Sequence, residues 1–255
     1  MDARLSRFET RLAANADEIA QAQRLRYRVF VAELGGGGPG VDHAAGIERD
    51  DYDALCEHLL LFDRHLPDEP VVGVYRLMDS ARLAPGARYY SEGEYDLAPL
   101  KASGRRLLEL GRSCLAPEYR GGSGMMHLWM ALAAIVEARG IEVLFGVASF
   151  HGTDVAALAE PLAQLHHAHL APPDIRPVSR EMQRMDLLPA ERIDRVRAML
   201  AVPSLIKAYL RLGGFVGEGA FVDHAFNTTD VCLVLDTARM NDRQRAIYAR
   251  GLTAE

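Results

Sequence analysis

Apolar positions along the chain fall into helical stripes and short continuous runs. From Asp17 to Leu34 they follow a helical stripe, with Ile19, Ala22, Arg26, Val29, Phe30 and Glu33 on one face. Arg26 is an unusual member of a face that only packs. His58–Asp63 and Pro70–Asp79 are short apolar runs that predict strands, the second rich in β-branched and aromatic residues. Leu107–Leu115, stopped by Pro117, and Val143–Phe150 predict two more. Between them MMHLWMALAAIVEARG predicts a helix buried on most sides, with Gly140 as its C-cap. Thr153–Leu170 and Pro203–Leu212 read as helices, and Phe215–Val222 and Val231–Leu235 as closing strands before a polar, mostly helical tail. Pro172–Glu191, with four prolines, reads as irregular.

Strands interleaved with helices predict a layered α/β domain. GGGGPG, Gly35–Gly40, cannot continue a helix cheaply and reads as a mobile loop, not a boundary. A single domain over 1–255 is expected, with its core at about 16–236 and a tail over 237–255.

Charge and cysteine content narrow the classes. The 255 residues carry a net charge of −6 with no basic run, which argues against a nucleic-acid partner. Three cysteines with no C-x-x-C argue against a structural zinc site or a disulfide framework, and for reduced cytoplasmic thiols. The first twenty residues lack a signal-peptide core, and the longest apolar stretch, Met125–Val136, is too short to span a bilayer. A cytoplasmic protein is expected, with room for peripheral contact at the inner membrane face.

The chemistry concentrates around RGGSG, which joins a strand to a helix. Unpaired N–H groups at a helix start hold anions, and glycines let the backbone approach a phosphate closely. Arg120, Gly121, Gly122, Ser123, Gly124 and Met125 are therefore candidate phosphate contacts. The loop is neither a Walker loop nor a dinucleotide fingerprint.

Strand, RGGSG, apolar helix and VLFGVAS together resemble the pyrophosphate motif of Gcn5-related N-acyltransferases. RLRYRVFVAELG, GIERDDYD, VVGVYRL and LELGRSC resemble, in order and spacing, the acyl-homoserine-lactone synthases of that superfamily. The match falls on Arg26, Phe30, Glu48, Asp50, Asp53, Arg76, Glu109 and Arg112. LELGRSCLAPEYR, Leu128–Trp129, LFGVASF, IKAYLRLGG and DHAFNTTDVCLVL resemble the bacterial L-ornithine N-alpha-acyltransferases, which begin ornithine-lipid synthesis. Gly36 stands where the lactone synthases carry a Trp, and the chain continues past their usual length. Both favour the lipid reading.

The resemblance implies a three-layer α-β-α sandwich on a mixed, splayed central sheet. It implies no permanently bound cofactor or metal; the co-substrate is acyl-phosphopantetheine on acyl carrier protein, with a coenzyme A thioester as an open variant. The implied reaction moves a (3-hydroxy)acyl group to the α-amine of L-ornithine, giving lyso-ornithine lipid. The alternatives are acyl-homoserine-lactone or other N-acyl-amino-acid synthesis, and an acyl-carrier or lipid-binding module with an inactive site.

Residue roles follow. A free α-amine has a pKa of about 8 and needs a base before it attacks. Glu109 is the candidate base, with an ion pair to Arg76 or Arg112 as its structural counterpart, and Arg112 is placed beside it as catalytic. On a regular strand residues 109 and 112 face opposite ways, so a bulge is expected near Gly111–Ser113. The resemblance places oxyanion donors in the backbone at Cys114 or Leu115. Arg26, Phe30, Asp50, Asp53 and Arg76 are implied substrate contacts; Arg26 and Arg76 equally suit a buttress for the acidic loop. Arg120, Lys101, Arg105 and Arg106 suggest a basic rim for an acidic carrier. Cys114 reads as a buried apolar residue, Trp129 as core, and His166, His167 and His169 match no metal pattern. Asp223 and Asn227–Asp230 carry no chemistry legible from their residue types.

Overall fold

The computed structural model describes residues 7–68, 70–84 and 86–245. In chain order the elements are β1 (Phe8–Leu12), α1 (Ala16–Arg26), β2 (Val41–Asp42), β3 (Ile47–Glu48), β4 (Glu57–Asp63), β5 (Val71–Asp79), β6 (Tyr95–Asp96), α2 (Ala98–Ala102), β7 (Leu107–Leu115) and α3 (Gly124–Arg139). Then follow β8 (Val143–His151), α4 (Ala159–His169), β9 (Val178–Ser179), α5 (Arg195–Ala201), α6 (Ser204–Arg211), β10 (Phe215–Val216), β11 (Phe221–Asp223) and β12 (Thr228–Asp236). The fold is mixed α/β with a large mixed sheet. The chain divides into two compact units, residues 7–78 and 110–140 in the first, 79–109 and 141–245 in the second. β7 runs from the second into the first.

In the first unit β1 pairs antiparallel with β4, from Phe8↔Asp63 to Leu12↔Leu59, and β4 pairs antiparallel with β5. Residues 110–115 of β7 lie beside β5, and the Ala116 N–H donates to the Val72 carbonyl at 2.8 Å. β5 is buried at every position, which explains its near-continuous apolar sequence. α3 packs on β1 and β4 through Leu128, Leu132 and Val136. Gly73 permits that approach: a Cβ there would lie 2.6 Å from a Leu115 methyl and 3.2 Å from the Leu61 Cβ.

In the second unit residues 107–109 of β7 run parallel to β8, from Leu107↔Val143 to Glu109↔Phe145. β8 pairs antiparallel with β12 along its whole length, and β12 also pairs with β10 and β11. Tyr95, Leu100, Leu108, Leu162, Ile206 and Val231 form its core.

Several expectations are corrected. The helix predicted to Leu34 is α-helical only to Arg26; Tyr27–Glu33 winds with wider π turns, as in the Leu34 N–H to Val29 carbonyl bond. α3 ends at Gly140 as expected but is buried on one face only, with Met126, Ala134 and Glu137 exposed. The helix predicted from Thr153 begins at Ala159, because Asp154 turns the chain by accepting the Ala156 and Ala157 N–H groups. β1 and α5 were not foreseen. The far part of the expected helical tail, 246–255, lies outside the described residues.

Candidate active site

Six charged residues of the first unit close into a ring. Arg26 ends α1, Glu48 ends β3, Asp50 and Asp53 belong to the turn around Asp51–Ala54, Arg76 lies on β5 and Arg112 on β7. Arg26 pairs with Glu48 at 2.6 Å and with Asp53 at 2.8 Å. Arg76 pairs with Asp53 at 2.9 Å and Asp50 at 2.5 Å; Arg112 pairs with Asp50 at 3.0 Å and Glu48 at 3.1 Å. Cations and anions alternate, each touching two of the other sign. Removing charges from water costs several kcal/mol per ion, about as much as good pairing returns, so such a ring fixes positions more than it adds stability.

Exposure divides the ring. Arg26 is fully buried, Glu48, Arg76 and Asp53 nearly so, while Arg112 keeps 12% and Asp50 21% of its side-chain surface. Arg26, given equally as a buttress for the acidic loop, spends its donors on Glu48, Asp53 and the Glu48 carbonyl. Asp53 accepts from Arg26, Arg76 and Gln23. Arg76, too, is a buried buttress of the acidic turn. Burial alone would raise the Asp53 carboxyl, but Arg26 and Arg76 together hold it well below the usual range. Burial pushes the neighbouring His58 imidazole down; its Nε2 lies 3.2 Å from the Asp53 carbonyl. Asp50 and Arg112 form the accessible edge.

The expected irregularity in β7 is present. Arg112 takes φ +50°, a left-handed conformation that costs a non-glycine residue about 1–2 kcal/mol. It interrupts the strand's alternation and lets the guanidinium reach Glu48 and Asp50. Just beyond it Cys114 is buried, and burial pushes its thiol up to about 12, which suits an inert packing residue. Phe30 lies half-buried in the π-helical stretch, where its carbonyl accepts the Gly36 N–H at 2.8 Å.

Glu109 belongs to the second unit. It is buried, and its two oxygens accept the backbone N–H groups of Tyr90 (2.9 Å) and Ser91 (2.7 Å). The carboxylate therefore caps the 3-10 turn Tyr90–Gly93.

The RGGSG loop starts α3 at Gly124. Gly121 takes φ +74°, a Cβ at position 124 would lie 3.3 Å from the Tyr119 carbonyl oxygen, and Ser123 makes no side-chain cap, leaving α3 without one. That is the local chemistry of an anion site. Arg120, however, is held by Glu33 at 2.5 and 2.7 Å and reaches the Leu115 carbonyl. The other proposed rim cations are also paired: Lys101 with Glu92, Arg105 with Asp236 and Arg106 with Asp79. A ready basic rim is therefore not what these residues form.

Two groups escaped the sequence reading. Glu48 was matched without a role, and it proves to be a ring member. Glu94, Asp223 and Asp230 bring carboxylate oxygens within 4.8 Å of one another; β11–β12 pairing, which joins Asp223 to Thr228, is what assembles the last two. Asn227 takes φ +53° in the connection between those strands, which accounts for an Asn there.

Comparison with known proteins decides the lineage. Residues 25–130 match the acetyltransferase (GNAT) domain family. The L-ornithine N(alpha)-acyltransferase of Rhodobacter capsulatus is 60% identical over 246 residues, spanning 95% of each chain. The chain belongs to the L-ornithine N(alpha)-acyltransferase family. Relatives bearing that name in Brucella abortus and Agrobacterium fabrum are 41% and 39% identical over 96% of this chain and 90% and 86% of theirs. As an acyltransferase of the GNAT fold it also resembles solved structures at low identity. These include a CoA-dependent acyl-homoserine lactone synthase (TM-score 0.52, 16% identity, 96% of this chain and 88% of that one). An N-acyl amino acid synthase from uncultured soil microbes gives 0.53 and 11%, over 93% and 94%. At such identities they speak to the fold alone.

Proposed function

We propose that this acyltransferase moves a (3-hydroxy)acyl group from acyl carrier protein to the α-amine of L-ornithine, releasing lyso-ornithine lipid. The observation that carries the acceptor is the full-length 60% identity to a relative of that name. In this reading the amine nitrogen bonds to the thioester carbonyl carbon, the carbon–sulfur bond breaks, and the proton that nitrogen sheds on becoming an amide passes to the leaving sulfur, releasing the phosphopantetheine thiol. Glu109 takes the ammonium proton. A carboxylate offers about four acceptor positions, so the Tyr90 and Ser91 donors orient it without by themselves exhausting it. Backbone N–H groups at Cys114 and Leu115, after the left-handed turn at Arg112, stabilise the developing oxyanion. The carrier's phosphate meets the uncapped start of α3, from Gly121 to Met125, and Arg120 exchanges Glu33 for it. Asp50, on the open edge of the ring, is the carboxylate that a cationic acceptor reaches.

The test incubates the enzyme with 3-hydroxyacyl carrier protein or the matching coenzyme A thioester, and with ornithine, lysine, glutamine or homoserine lactone precursors. Products are read by mass. An ornithine amide formed fastest from the carrier thioester is expected. Acyl transfer to other amines with none to ornithine would remove the acceptor, and equal rates from both donors would remove the carrier.

A further inference from the structure

We propose that the outward face of α5 is a docking surface for an anionic lipid bilayer. Val196 is 73% and Leu200 74% exposed, the two most exposed large apolar side chains among the described residues. They stand four residues apart, on one stripe of the helix. On the opposite side Ala198 is fully buried, as is Val202 just past the helix end. At about 100° per residue, Val196 and Leu200 point directly away from that packed side. The helix is held firmly in this attitude. Asp194 caps it through the Val196 and Arg197 N–H groups, and Arg197 is clamped to Glu160 of α4 at 2.6 and 2.8 Å.

Charge says what meets this face. Arg195 and Arg197 flank the apolar stripe on either side, and Lys207 donates to the Leu200 carbonyl at the helix end. Residues 190 to 212 hold five cations (Arg192, Arg195, Arg197, Lys207, Arg211) against two carboxylates (Glu191, Asp194), and with Glu160, which pairs with Arg197, the local balance is +2 in a chain of −6. Apolar residues ringed by cations are the pattern of a helix lying in a bilayer interface, with the cations at headgroup level. Two side chains are also a small part of the roughly 800 Å² per partner that a stable protein interface needs. The inference rests on this face alone and stands whatever the acyl acceptor.

Vesicle co-sedimentation tests it, with phosphatidylcholine alone or with added phosphatidylglycerol. The whole protein is compared with the double variant Val196→Ser/Leu200→Ser, and both are followed by thermal melting and sedimentation velocity. Wild type should pellet with the phosphatidylglycerol vesicles, less so as salt rises. The variant should bind about tenfold more weakly while keeping its melting temperature, mass and turnover of soluble substrates. Equal binding by the variant, or no wild-type binding to anionic vesicles, would overturn the proposal. So would a wild-type dimer that the variant dissolves, since a second copy would then cover the face.

Discussion

At the scale of single residues, the ring around Arg26 shows how one side chain answers two questions that sequence alone leaves open. An arginine on an apolar helical stripe signals a buried anion, and Glu48 and Asp53 supply it. Which of buttress and substrate contact it serves depends on burial, and burial comes from elements far apart in sequence. Replacing Arg26 with Met should destabilise the protein by about 3–5 kcal/mol in denaturant unfolding, since it leaves buried Glu48 and Asp53 with one cation each, Arg112 and Arg76. Arg112, at the open edge, should cost much less. Glu109→Gln addresses the other question. Its amide oxygen can still accept a backbone N–H, so melting should change modestly, while kcat should fall about 10²–10⁴-fold with little change in the KM for ornithine. Undiminished turnover would leave Glu109 as a turn cap and nothing more.

His58 and Asp53 give the pH dependence its sign. His58 is held neutral by burial while the unfolded chain takes up a proton near pH 6.5, so stability is full above about 6.5 and declines below it. Asp53, held low, contributes fully above its unfolded pKa of about 3.9 and loses that contribution as pH falls further. Melting temperature against pH should therefore show an early decline that His58→Gln reduces, half-buried His169 sharing that window, and a later one that Asp53→Asn reduces, Asp63 and Asp236 being held low as well. A wild-type profile flat from pH 7 to 5 would contradict the first.

At the scale of elements, strands and the α3 C-cap were legible because short apolar runs and a terminal glycine are local signals. β7 matched its expected Leu107–Leu115 bounds. The widening of the helix after Arg26 was not legible, since π and α turns place apolar residues with nearly the same spacing over seven residues. Nor was α5, whose most apolar side chains face outward and whose start is set by one aspartate. Gly73 shows a packing demand that composition hides. Gly73→Ala would push a methyl into Leu115 and Leu61, and should cost about 1–3 kcal/mol by chemical denaturation.

At the scale of the whole molecule, coordinated motifs spread along nearly the entire chain carried the lineage, and full-length identity to the ornithine acyltransferases agrees. The division into two compact units was not visible, because both are discontinuous in sequence and share β7. Charge totals misled as well. Cations that suggested a rim are neutralised by carboxylates brought to them by the fold, as Arg105 is by Asp236, 131 residues away. The central claim concerns one bond, and tandem mass spectrometry of the product from ornithine and 3-hydroxyacyl carrier protein tests it most directly. Fragments placing the acyl group on the α-nitrogen are predicted. An acyl group on the side-chain nitrogen, or no ornithine amide at all, would contradict the account.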